Sequence, residues 1–224
     1  MKTSRYSLYG AVLGLALLGG CATKAPAYDY SAFIRAKPVT LLVLPPVNES
    51  PEVNATPGVW AHATRPLAEA GYYVLPITLV DETFRQNGVT TANEVQEIPV
   101  QKLRDYFGAD AAVYLKVRKY GTSYAVVASE TRVEVEAHIV DLRTGETLWQ
   151  GSASASSAEQ QQQNQGGLLG LLVTAVVKQI VGTASDASFN YAGLADQRML
   201  GAPRYNGVLP GPRSRFYGQV PPSQ

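Results

Sequence analysis

Cysteine occurs once in the 224 residues, at Cys21, and histidine twice, at His62 and His138. A single thiol excludes an internal disulfide and a multi-thiolate metal centre, and two separated histidines supply little for a metal cluster. Charge is also scarce. Charged residues make up 17% of the chain, and 19 Lys+Arg against 18 Asp+Glu give a formal net charge of +1. Nucleic-acid binding leaves a basic footprint, so this balance argues against such a partner. The phosphate-cradling glycine motifs are missing, as are the Gly-x-Ser-x-Gly elbow and any His-Glu-x-x-His spacing. These absences point to a chain that is not an enzyme and has no catalytic residues, metal or organic cofactor. What remains is 46% hydrophobic, enough to bury one medium core.

The amino terminus has a distinct pattern. Lys2 and Arg5 precede an apolar run from Leu8 to Leu18, too short for a typical span of about 20 residues. It ends in Leu18-Gly19-Gly20-Cys21, which resembles a bacterial lipobox. Residues 1–20 are thus expected to be a cleaved signal peptide, cut between Gly20 and Cys21. The Cys21 thiol and new amino group would carry diacylglycerol and an N-acyl chain as the membrane anchor. By resemblance to the lipoprotein sorting rule, Ala22 in place of Asp implies the outer membrane, with the periplasmic face expected.

Residues 21–37 are read as a lipidated tether, 38–200 as a single α/β domain and 201–224 as a Gly/Pro-rich tail. Val39 to Leu44 is β-rich and nearly all apolar, a strand buried on both faces and stopped by Pro45-Pro46. Val59, Ala63, Leu67 and Ala70 recur at helical spacing before Gly71, with Pro66 predicting a kink or a late start. A strand from Tyr72 to Leu75, a helix from Leu79 to Gln86 and a helix between Pro99 and Gly108 follow. Val113, Leu115 and Val117 alternate with polar residues, as do Val133, Val135, Ala137 and Ile139, so two strands with one wet face are expected. Turn chemistry at Asp141 to Gly145 sends a third strand back from Glu146 to Ser154, completing an antiparallel meander. The predicted architecture is a mixed α/β (α+β) sheet with helices packed on it.

The remaining candidates are surfaces. Gly151 to Gly167 reads as a polar loop or frayed strand end, and Leu168 to Val181 as an apolar helix. Leu168, Leu172 and Val176 on that helix, with Arg213 and Tyr217 in the tail, are the candidate partner contacts. His138, Glu134 and Glu136 fall on the wet strand face and read as solvated rather than as ligands or an acid–base pair.

Several stretches together resemble one family: the lipobox, Gly71-Tyr72-Tyr73 with Leu75-Pro76, Val117-Arg118-Lys119-Tyr120-Gly121-Thr122, Val140-Asp141-Leu142-Arg143-Thr144-Gly145, Leu148-Trp149 and Gly211-Pro212-Arg213-Ser214. The resemblance is to the genome-derived meningococcal antigen lipoproteins, proteobacterial outer-membrane lipoproteins without an assigned activity. It implies a domain like the amino-terminal domain of TolB, related to the curli-secretion channel lipoprotein. It also implies a homodimer or another envelope lipoprotein as partner; with the exposed sheet, the Leu168 to Val181 helix and the tail as binding elements, the expected role is a noncatalytic adaptor or assembly module in an envelope transport or biogenesis complex. A secretion-pore subunit and a regulator of a peptidoglycan synthase are the alternatives.

Overall fold

A computed structural model describes residues 28–124, 129–159 and 187–220. The signal segment, Gly20, Cys21 and the predicted 168–181 helix with Leu168, Leu172 and Val176 lie outside the described residues.

The sheet is built around β1 (Thr40–Val43), which pairs in parallel with β3 (Tyr73–Val74) on one side and β4 (Ala111–Tyr124) on the other. β4 continues into antiparallel pairing with β5 (Ser129–Asp141), and β5 with β6 (Thr147–Ser156). The strand order is β3-β1-β4-β5-β6, and the short β2 (Val47–Asn48) also pairs with β4. Leu41, Leu42, Val43 and Leu44 are all fully buried, as an uninterrupted apolar strand covered on both faces must be. Pro45 and Pro46 have no N–H to give β4. The Leu115 carbonyl opposite them is taken instead by the Gln96 side-chain amide at 2.9 Å.

Helices fill the connections. α1 (Ser31–Ala36) precedes β1, α2 (Ala55–Glu69) joins β2 to β3, and α3 (Ile77–Gln86), α4 (Ala92–Gln96) and α5 (Val100–Phe107) lead from β3 to β4. α6 (Ala187–Leu200) follows β6 in chain order. α2 begins earlier than the Val59 periodicity predicts, because Pro57 falls in its first turn, where no backbone N–H is needed. Pro66 lies inside the same helix without ending it, and Gly71 at φ +101° ends the turn that follows. α4 opens on a capping box in which Thr91 and Glu94 bond reciprocally.

Two further expectations need correction. Residues 28–36 are part of the domain rather than of a free tether: Tyr30 and Phe33 are buried, and the Tyr30 hydroxyl donates to the Gly207 carbonyl at 2.6 Å. The strand expected over Glu146 to Ser154 is present as β6 but runs two residues further, through Ser156, with Gly151, Ala153 and Ala155 opposite Ala137, Val135 and Val133. Gly151 makes room for the Trp149 indole, whose ring carbon would lie 2.4 Å from a Cβ there, and the small Ala153 and Ala155 lie on the strand against which α6 packs with its fully buried Ala192 and Ala195.

Candidate functional site

α2 and α6 pack together over one face of β4, β5 and β6, and among the described residues the opposite face is open around Lys116, Glu136, His138, Gln150 and Ser152. There the outward positions pair across the strands, Tyr114 with His138 and Lys116 with Glu136. The Tyr114 and His138 rings stack 4.8 Å apart at 7°. His138 is open to water at its rim, yet burial of the ring face, with Lys116 nearby, lowers its pKa. Gln96, Gln150 and Ser152 complete a shallow polar groove of about 440 Å³ around this pair.

Beside the groove the β4–β5 register shifts between Val117 and Lys119, leaving Arg118 at a bulge. Its guanidinium bonds to Glu49 and, at 2.8 Å, to Glu136. Lys116 reaches the other Glu49 oxygen at 3.2 Å, while Lys119 and Arg132 flank Glu134 at 3.4 and 3.8 Å. Arg118 first, then Lys116, holds the Glu49 carboxyl below the usual carboxylate range. The Glu49 carboxylate therefore stays ionised against its two cations. A general acid needs the reverse, a carboxyl held neutral near pH 7. Glu134 and Glu136 stand on the wet face as the alternation predicts, and they are ion-pair partners in a neutralised surface.

The helical layer holds one group the sequence reading missed. Asp196 of α6 is fully buried, with no hydrogen-bond partner for either carboxylate oxygen among the described residues. Burial alone raises its pKa well above the usual value, so the acid is neutral. The spacing of Ala192, Ala195, Asp196, Met199 and Leu200 puts it on the apolar stripe, a signal available in the sequence once the helix is recognised. His62, on α2, lies against Phe189 with ring centres 4.2 Å apart and planes tilted by 50°, and burial lowers its pKa.

The carboxy-terminal segment closes the other end of the sheet. Trp149 Nε1 donates to the Asn206 carbonyl at 2.9 Å and the Tyr72 hydroxyl to that of Leu209 at 2.6 Å; Val208 is fully buried. The Arg213 guanidinium lies 5.5 Å from the centre of the Tyr73 ring. Of the two predicted tail contacts, Arg213 is thus engaged within the domain, whereas Tyr217 is exposed. Asp141 and Arg143 of the Val140 to Gly145 motif serve the fold: Asp141 accepts from the Arg143 side chain and backbone, and Arg143 also donates to the Ala36 carbonyl at 2.6 Å. Among the described residues no group of three His, Cys, Asp or Glu side chains could hold a metal, and no helix is long and apolar enough to cross a membrane.

Comparison with known proteins agrees with this architecture. Residues 28–213 match the family described as "Putative lipoprotein GNA1162-like", so the match begins at Tyr28, where α1 docks. The chain is 46% identical over 206 residues to "Putative lipoprotein NMB1124/NMB1162" of Neisseria meningitidis serogroup B, covering 90% of this chain and 95% of that protein. The crystal structure of lipoprotein GNA1162 from Neisseria meningitidis superposes with a TM-score of 0.52 at 48% identity, covering 65% of this chain and 100% of that one. A PelC dodecamer from Paraburkholderia phytofirmans aligns at a TM-score of 0.44 and 12% identity, over 79% of this chain and 91% of that one. With its mixed sheet, its motifs and nearly all its length matched, the chain belongs to the GNA1162-like lipoprotein family.

Proposed function

We propose that the chain is a noncatalytic outer-membrane lipoprotein, anchored through Cys21, that works as an assembly or adaptor module in an envelope transport or biogenesis complex. The observation that carries this reading is the part of the β4, β5 and β6 face that the described residues leave uncovered. Three long strands present Lys116, Glu136, His138, Gln150 and Ser152 to solvent in a fixed, charge-compensated array. Such a surface favours recognition by register and complementary charge over chemistry. A pore built from these strands has less support, because their apolar face, with Val133, Val135 and Ile139, is buried beneath α2 and α6.

The test is crosslinking in intact envelopes followed by affinity purification and mass spectrometry. The tag belongs after Glu159, since β6 occupies the chain through Ser156. Recovery of one other envelope lipoprotein in fixed proportion supports the adaptor. Recovery of the protein alone, as a large ring, would replace this reading with the pore subunit.

A further inference from the structure

The amino ends of the parallel strands β1 and β4 are closed by α1 on one side and the 206–220 segment on the other. Between them runs an apolar groove of about 280 Å³, lined by Phe33, Ile34, Tyr72, Leu209, Tyr217 and Val220. Its rim is unusually apolar for a surface: Ile34 is 49% exposed, Tyr217 50% and Val220 53%. Val39 and Tyr73, joined by a backbone bond, extend the exposed apolar surface toward Arg213.

Charge at this end leans positive. Residues 28–39 and 201–220 contain Arg35, Lys37, Arg204, Arg213 and Arg215 against Asp29 alone, in a chain whose totals nearly balance. Glu146, from the β5–β6 turn, neutralises Arg35 at 2.7 Å, Asp110 accepts from the Val39 and Thr40 N–H groups at 3.0 Å, and Arg143 is paired with Asp141; the remaining excess is positive. Apolar and aromatic side chains ringed by cations suit the boundary of an anionic bilayer, where the rings sit at headgroup level and each nearby cation adds attraction.

The chain's own geometry selects the same end. Six residues lie between Cys21 and Tyr28, and that stretch, fully extended, reaches about 25 Å from one to the other. Tyr28 is tied to the start of the 206–220 segment, beside the groove, its backbone N–H donating to the Asn206 side-chain oxygen at 3.0 Å while its hydroxyl accepts from the Gln150 N–H of β6. A lipid on Cys21 therefore holds this end, rather than the opposite one, close to the membrane.

We propose that the end of the domain formed by α1 and the 206–220 segment is a membrane-docking face, seated on the anionic bilayer that receives the lipid anchor. This rests on the Cys21 anchor of the preceding section and adds an orientation. Ile34, Tyr217 and Val220 enter the interface, with Lys37 and Arg215 against the headgroups. The strand face proposed for the partner is then held side-on to the membrane and stays accessible.

The test uses the full lipidated chain in vesicles of phosphatidylethanolamine and phosphatidylglycerol. Cys21 is blocked by its lipid, so a polarity-sensitive probe couples only to a second thiol, introduced as Ile34→Cys or Val220→Cys. Val53→Cys and Leu79→Cys serve as references at the opposite end, beyond the carboxyl ends of β2 and β3. The proposal expects probes at 34 and 220 to lie about 5–10 Å within the headgroup boundary, with a several-fold loss of access to an aqueous quencher. Probes at 53 and 79 stay in water. Equal aqueous access at all four positions on vesicles that carry the protein overturns the docking face while leaving the anchor intact. Protein that fails to float with the vesicles and carries no acyl group overturns the anchor and the orientation together. Protection at 34 and 220 that grows with protein concentration in detergent, without vesicles, overturns the proposal in favour of a second copy in the groove.

Discussion

Gly71 and Gly211, separated by most of the domain in sequence, stand in direct backbone contact. The Gly211 N–H donates to the Ala70 carbonyl at 2.8 Å, and the Arg213 N–H to that of Gly71 at 3.0 Å. A Cβ on Gly211 would fall 2.7 Å from the Gly71 carbonyl carbon and oxygen, and one on Gly71 would fall 2.4 Å from the Ser214 nitrogen. Gly71 also sits at φ +101°, where a side chain is strained. Two of the family-like motifs thus form one clamp, which fastens the carboxy-terminal segment beside β3.

Alanine at either glycine is expected to cost about 1–3 kcal/mol of stability. Because both substitutions break the same contact, the double variant should cost less than the two single losses added together. Chemical denaturation of the three variants measures this, and full additivity would contradict a shared clamp.

Truncation at Gly201 should disrupt the domain and not merely remove a tail. It deletes the buried Val208 and the carbonyls that satisfy the Tyr30 and Tyr72 hydroxyls and the Trp149 indole. Leaving such buried donors unpaired costs about 1–3 kcal/mol each. The expected result is loss of near-ultraviolet circular dichroism and of cooperative melting; retention of both would contradict the docked segment.

Gly58 illustrates the same close fit beneath the sheet. A Cβ there would lie 2.5 Å from the Tyr120 hydroxyl oxygen and 3.1 Å from its ring carbon. Gly58→Ala should therefore destabilise, and Tyr120→Phe in the same chain should restore part of the loss by removing the nearer atom. Thermal unfolding of the single and double variants decides it, with no rescue as the contrary outcome.

Titration should pull stability down on both sides of an optimum. Asp196 has a raised folded pKa, so the folded state holds its proton longer and stability falls as pH rises above about 4. His62 and His138 have lowered folded pKa values, so the unfolded state takes protons first and stability falls as pH drops through about 6.5. Asp196→Leu removes the first dependence and should raise stability at pH 7 by about 1–3 kcal/mol, since no buried acid is left unpaired. An unchanged pH profile in that variant would contradict a neutral, unpartnered Asp196.

Much of this fold was legible because the strands obey simple periods. The apolar run at Val39 to Leu44 gave a doubly covered strand, and alternation from Val113 to Ile139 assigned His138, Glu134 and Glu136 to the wet face. α6 was harder to read, because Gly193 and Asp196 interrupt its pattern and its buried face uses the small Ala192 and Ala195 in place of large apolar residues. Residues 28–36 have no sustained period, and their anchoring through Tyr30, Phe33 and Arg143 depends on long-range partners. The Arg118 bulge and the Gly71–Gly211 clamp are relationships between distant segments, for which the sequence supplied the residues without the pairing.

Arg118 separates binding from folding. Its ion pairs with Glu49 and Glu136 are solvent-exposed, and such pairs add little to stability. Arg118→Ala should leave the melting temperature nearly unchanged while sharply reducing recovery of the envelope partner after crosslinking. Equal recovery from the variant and the parent protein would remove the charged array from the partner surface.

The most direct test of the adaptor account is site-specific photocrosslinking in intact envelopes, with the reactive group placed in turn at His138, Gln150 and Ser152 on the open face and at Asp105 on α5. The account predicts one discrete heteromeric adduct, containing the same second envelope protein, from the three strand positions and none from Asp105. Adducts of this chain with itself alone, or the same yield from all four positions, would contradict it.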